Sequence, residues 1–363
     1  MGGRHRGEED RFGVMQGETV EGASGRGEPR LEIAIASALF VVGAVAFGVF
    51  AHVVGARDGR WVSAWLAFAL LFAPYPALSV GAWGPRLSAW LGAAPFSRLA
   101  LLLAIPIPLY AAYAIPTGIF ELAFLWKYAL YAGVPGALIA SIRAAGADPL
   151  EAPLRLTAAI LVLWLPVDFG VLPRFAVPAG AARSLDLMRL IALDVGLVLF
   201  VAAAPVRDLG FRFRLDRTDA RAALEGLAAF GVVGIPLALA IGFIRYGWRP
   251  FDPLEWALVV LNVYFFVGVP EELLFRGLLQ NLLEKRWRGR GGRIGPLAVA
   301  SVIFGAAHLN NGPAPNVRYA ILAALAGLAY GWVWRRTRKI TASALTHGAV
   351  DWIWVVAFRA GIV

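Results

Sequence analysis

Apolar stretches of near-spanning length recur from Leu31 to the end of the 363-residue chain, separated by short polar or Pro/Gly breaks. A helix needs ~20 mainly apolar residues to cross the hydrocarbon core of a bilayer. Eleven stretches approach that scale: 31–54, 62–83, 98–117, 122–141, 155–173, 187–206, 224–244, 255–283, 294–309, 318–334 and 340–360. The pattern predicts an all-α fold, a polytopic transmembrane helical bundle. Composition agrees: 59% of the residues are hydrophobic and 16% charged, where soluble domains carry about 45–50% and about 25%. A disordered protein, a coiled coil and an ordinary soluble domain are excluded.

Charge supplies an orientation. With the N-terminus inside and the stretches alternating, 23 of the 34 Lys and Arg residues fall on the cytoplasmic side and 8 on the other, with Lys127, Arg189 and Arg276 inside helices. The positive-inside rule thus predicts eleven spans, N-terminus in and C-terminus out. The net charge of +10 then belongs to basic loops, and no nucleic-acid partner is expected. Cysteine is absent, which removes disulfides, thiol catalysis and Cys-ligated metals. Residues 1–30 are too polar to bury a core and are expected to be a disordered cytoplasmic tail, with no cleavable signal peptide. A basic cytoplasmic linker at 207–223 divides a six-helix membrane region, 31–206, from a second membrane domain, 224–363. Thr218 or Asp219 is the expected cap of a short interfacial helix over 218–227. Arg is far commoner than Lys and Ala is plentiful, which points to a GC-rich bacterial source and a bacterial cytoplasmic membrane.

A charged side chain near the bilayer centre costs ~2.5–3.5 kcal/mol on insertion scales, so intramembrane charges are candidates for function. They concentrate in the second half. Val269-Pro270-Glu271-Glu272 leads into Phe275-Arg276-Gly277, placing two adjacent carboxylates and an arginine in an apolar run. Glu272 and Arg276 are i, i+4 and share a face, while Glu271 is rotated by about 100° and free to point elsewhere. A purely structural alternative is that both glutamates neutralise arginines at a helix start behind Pro270. Phe304-Gly305-Ala306-Ala307-His308 follows in the next stretch, before the polar turn at Asn310-Asn311-Gly312. His347 and Asp351, again i, i+4, lie in the last. These boundaries set His308 at the outer end of its span and His347 in the inner half of its own, so the two meet only if a helix is short, tilted or differently bounded. Of the charges in the first half, Asp168 is the one least explained by snorkelling at a helix end.

These groups suit water activation. A carboxylate and a neutral imidazole hold one water between them and make it nucleophilic. Alternatively Glu271, His308 and His347 ligate a divalent metal such as zinc, which lowers the pKa of a bound water to ~7. A second histidine with a nearby carboxyl then stabilises the oxyanion formed at a peptide carbonyl.

The series Glu271-Glu272-x-x-x-Arg276, Phe304-x-x-x-His308 and His347-x-x-x-Asp351 resembles the CPBP family of intramembrane proteases, which includes CAAX proteases and bacteriocin-processing (Abi) enzymes. The resemblance covers about 225–360 and implies a conical helical bundle with a catalytic cavity inside the membrane. It implies Glu271 as general base and His308 as the group positioning the water. His347 and Asp351 would form the polar pocket, and Glu272 with Arg276 would orient the constellation. The family's eukaryotic prenyl-protein proteases usually carry Asn where this chain has Asp351. An ionised carboxylate only accepts hydrogen bonds, so Asp351 is better suited to orienting His347 or to ligating a metal than to holding an oxyanion.

The function expected is an intramembrane endopeptidase acting on a membrane-associated protein or peptide at the lipid bilayer, with prenylated substrates unexpected in a bacterium. Two other classes compete: a non-proteolytic scaffold or bacteriocin self-immunity protein of the same family, and a proton- or cation-coupled transporter. The set of two glutamates and two histidines disfavours the first, and the lack of an internal repeat disfavours the second.

Overall fold

The computed structural model describes residues 28–53, 60–92, 94–179, 183–287, 289, 292, 294–312 and 314–361. Of these described residues 77% are helical and almost none lie in sheet. Each of the eleven hydrophobic stretches carries a helix. Seven are long and apolar enough to cross a membrane: Pro29–His52, Arg60–Leu78, Pro95–Thr117, Leu122–Ala144, Arg217–Ala240, Pro253–Arg286 and Val317–Thr337. The other four are shorter or more polar: Pro153–Asp168, Met188–Leu197 with its wide-turn continuation Val198–Ala203, Ile294–Ala306 and Ile340–Ala357. The expected disordered tail falls on residues outside those described, except that Glu28–Arg30 already belong to the first helix.

Helix starts follow local chemistry, and one differs from expectation. Asp216, not Thr218 or Asp219, is the cap of Arg217–Ala240. Its carboxylate accepts from the Thr218 and Asp219 amides at 2.7 and 3.0 Å, while Asp219 accepts from the Asp216 amide at 2.8 Å. This reciprocal box satisfies the free amides of the first turn. The stretch 218–227 is therefore the opening of one continuous helix rather than a separate interfacial one.

Two antiparallel strand pairs were not expected from sequence. Ala176–Ala179 pairs with Arg183–Asp186, and Ile244–Tyr246 with Phe358–Ala360. The second ties the end of Arg217–Ala240 to the end of Ile340–Ala357.

At the opposite helix ends, the segment 207–216 is stitched into the bundle. Gly210 accepts from the Ile340 amide, and Asn281 donates to the Arg207 carbonyl at 2.6 Å. Lys285 meets Asp208 at 2.7 Å, a hydrogen bond that holds the Asp208 carboxyl below its usual range. Gly210 has φ +67°, and a Cβ there would land on the Arg338 carbonyl. Glycine is required by the turn and by the contact alike.

The two halves share a core. Tyr75 donates to the Phe265 carbonyl at 3.0 Å, Phe68 and Phe72 pack against Phe266, and Trp164 stands edge-on to Phe275 at 5.3 Å. One buried apolar cluster runs from Phe47 to Ala344 across both.

Candidate active site

Four helices of the second half build the site. The glutamate helix, Pro253–Arg286, starts at Asp252, whose carboxylate accepts from the Leu254 and Glu255 amides. It changes winding around the carboxylates: wide π-type turns over Val263–Gly268 and Leu273–Gln280 flank the short α segment Val269–Glu272. Such turns re-aim side chains and recur at functional sites. Glu271 and Glu272, adjacent in that α segment, are rotated by about 100° from each other and face different neighbours.

Glu272 is wholly buried and committed to structure. One oxygen accepts from Nδ1 of His347 at 3.0 Å, and the other from Nε of Arg276 at 3.2 Å and from the Ser343 hydroxyl. Arg276, also wholly buried, lies 5.0 Å over the Phe304 ring. A buried carboxylate with three donors is compensated, whereas either partner left alone would carry an unscreened charge. The structure thus makes the sequence-predicted Glu272–Arg276 contact and adds Ser343, which sequence reasoning passed over.

Glu271 points the other way. Its side chain is 32% exposed, and its Oε2 is an acceptor without a hydrogen-bond partner. That oxygen stands 4.0 Å from Nε2 of His308 and 3.7 Å from Nε2 of His347. Asp351 brings Oδ2 to 3.6 Å from the same His347 nitrogen. All six sequence-predicted residues therefore occupy one constellation. The distance between His308 and His347 along their spans is closed by the shortness of Ile294–Ala306. Its 13 residues rise only about 20 Å, and the turn that follows brings Nε2 of His308 to the same Glu271 oxygen that Nε2 of His347 faces.

Hydrogen bonds assign the ring nitrogens. His308 Nδ1 lies 2.8 Å from the Phe304 carbonyl, which can only accept. Nδ1 therefore carries the proton, and Nε2 of the neutral ring is a bare acceptor facing Glu271. His347 is fixed by Glu272 on one side and stacked on Tyr330 at 4.6 Å on the other, with Phe304 edge-on. Tyr319 packs against His308 at 4.8 Å. Tyr330 and Tyr319 had no sequence signal beyond lying in an apolar helix.

A separation of 4.0 Å is too long for a direct hydrogen bond. Two acceptors that share the two hydrogens of one water, at about 2.8 Å each, stand roughly 4.5 Å apart. Glu271 and His308 are thus spaced to hold a water between them. The donor set does not form a metal cage: no group of three or more His, Asp or Glu side chains among the described residues has the geometry to hold an ion. The expected Glu271–His308–His347 ligand set does not fit.

A cavity of about 340 Å³ opens on Glu271, His308 and Asn311. Its other wall comes from the first half of the chain and includes Asp168 and Arg189, the former being the residue whose position snorkelling least explained.

Residues 253–353, which contain all three motifs, match the family model described as type II CAAX prenyl endopeptidase, Rce1-like. The resemblance to the CPBP/CAAX protease family is shown over that region, somewhat less than the 225–360 expected. No curated protein and no solved structure matches the chain.

Proposed function

We propose that this chain is an intramembrane endopeptidase that hydrolyses a peptide bond of a membrane-associated protein or peptide with a glutamate-activated water. The observation that carries this reading is the unpaired Oε2 of Glu271, set 4.0 Å and 3.7 Å from the Nε2 atoms of two histidines on separate helices. A water there donates one hydrogen to His308 Nε2 and the other to Glu271. Glu271 takes its proton as the oxygen adds to the carbonyl carbon, then returns that proton to the departing amine. His347, when Nε2 carries a proton, donates towards the oxyanion, and the triple contact of Glu272 keeps its ring in place. Asp351 shares that nitrogen and holds the ring from the other side.

The eleven-span arrangement, N-terminus in and C-terminus out, belongs to the same proposal. It is supported by the gathering of the segments expected on one face. Asp148 meets Arg207 at 2.8 Å, Glu284 meets Arg335 and Arg338 at 3.2 and 2.9 Å, and Glu225 meets Arg336 at 3.0 Å. The placement in a bacterial cytoplasmic membrane rests on the composition alone.

The test substitutes Glu271→Gln and His308→Ala separately and follows membrane insertion and processing of surface-anchored proteins. Normal insertion with processing lowered 10²-fold or more in both is the expected result. Unchanged cleavage of every candidate in both would sink the peptidase reading.

A further inference from the structure

A peptide must be unwound to expose its scissile bond. In a largely apolar cavity, its main-chain N–H and C=O groups then need partners or cost several kcal/mol each. The cavity at Glu271 is walled by apolar side chains such as Leu163, Trp164, Leu193 and Phe275. On the wall supplied by the first half, two charged groups interrupt them. Asp168 is the last residue of Pro153–Asp168, and Arg189 is the second of Met188–Leu197, so both lie beside the connection that carries the strand pair at 176–186. Neither has an ion-pair partner among the described residues. One is an acceptor and the other a donor.

We infer that Asp168 and Arg189 form a main-chain clamp that binds an extended, apolar peptide segment across the cavity from Glu271 and His308. Asp168 accepts from a backbone N–H of the bound segment, Arg189 donates to a backbone C=O, and the apolar wall takes the side chains. The six-helix region is then half of the substrate site rather than a separate anchor. The nature of the occupant rests on the peptidase reading, but the clamp itself does not require catalysis.

The absence of cysteine allows a clean test. Val167, which lines the same wall, is replaced by Cys in the full-length Glu271→Gln chain in detergent, and the rate of labelling by a small maleimide is followed. The competitor is an acetylated hexapeptide of Leu, Ala and Phe with a C-terminal dimethylamide, alongside its counterpart N-methylated at every peptide nitrogen, which lacks backbone donors. The peptide should protect Val167→Cys, and Asp168→Ala or Arg189→Ala should each raise the half-protecting concentration about tenfold. That is the loss expected for one charge-assisted hydrogen bond. Arg189→Lys should recover part of the loss, and the N-methylated peptide should protect weakly whether or not Asp168 is present. Protection is read against each variant's own rate without peptide, because the Asp168 carboxylate beside the reporter thiol alters its reactivity, and an unchanged thermal midpoint separates lost binding from lost fold. Absent protection, equal protection by the N-methylated peptide, or half-protecting concentrations that move by less than about twofold would overturn the clamp. If protection behaves as expected while the Glu271-containing chain cleaves neither this peptide nor any surface protein, the peptidase reading fails and the clamp stands.

Discussion

At the scale of single residues, two adjacent glutamates should fail in different ways. The Glu271 Oε2 has no hydrogen-bond partner, so Glu271→Gln should leave the thermal midpoint in detergent nearly unchanged while removing hydrolysis. Glu272 answers three donors in a fully buried site. Glu272→Ala should therefore cost about 3–5 kcal/mol, because Arg276 is left as an uncompensated buried charge. Pairing it with Arg276→Met should recover much of the stability and none of the activity, since His347 would still lack its anchor. Thermal unfolding and peptide cleavage measured on the same three preparations check this, and a Glu272→Ala chain as stable as the parent would contradict it. Ser343→Ala removes one donor from the carboxylate and should cost about 1.5–3 kcal/mol. The six charged or imidazole side chains were legible in the sequence because each is expensive in an apolar run. Ser343, Tyr330 and Tyr319 were not, since a hydroxyl in a membrane helix is ordinary and only the fold shows which carboxylate or ring it meets.

At the scale of elements, the site depends on how closely Ile294–Ala306 and Val317–Thr337 approach. Gly305 lies at their contact, and a Cβ there would land on the Ala320 carbonyl, with Ala324 Cβ at 2.8 Å. Backbone cannot give as a flexible side chain can. Gly305→Ala should therefore force the helices apart and cost about 1–3 kcal/mol. It should also lower activity beyond that loss, because His308 follows one turn later, with its amide bonded to the Gly305 carbonyl. The comparison is cleavage rate at a temperature where the variant remains folded, and a rate equal to the parent's would show that His308 does not depend on this contact. The apolar periods located a helix in each of the eleven stretches but not the helix Trp83–Leu91 between two of them, and the details that aim the site lay outside their reach. The π-type turns on either side of Val269–Glu272 carry no residue signature, and the strands at 244–246 and 358–360 form only because two distant helix ends come together. The cap at Asp216 was missed for a local reason. Asp216 and Asp219 complete a reciprocal pair in which each caps the other's amide, so either residue taken singly looks like a cap.

At the scale of the whole molecule, two expectations depend on the halves acting together. Tyr75, Phe68 and Phe72 pack on the glutamate helix at Phe265 and Phe266, and the segment 207–216 is bonded to the second half. Residues 207–363 made alone should thus be degraded or inactive, and co-expression with 1–206 should restore cleavage, because the break falls before the stitched segment. The membrane arrangement can be read from the same cysteine-free chain. Phe120 and Ala145 are exposed at opposite ends of Leu122–Ala144, and each takes a single Cys without touching the site. With the N-terminus inside and the spans alternating, Phe120→Cys should react with a membrane-impermeant maleimide in intact cells, whereas Ala145→Cys should react only after permeabilisation. The reverse pattern would place Asp168, Arg189 and the cavity mouth towards the cytoplasm, and equal labelling of both would remove this helix from the membrane. The expected pattern instead gives the peptide cavity and the basic loops opposite faces, so that the cations which orient the chain in the bilayer are kept away from the one arginine that waits for substrate.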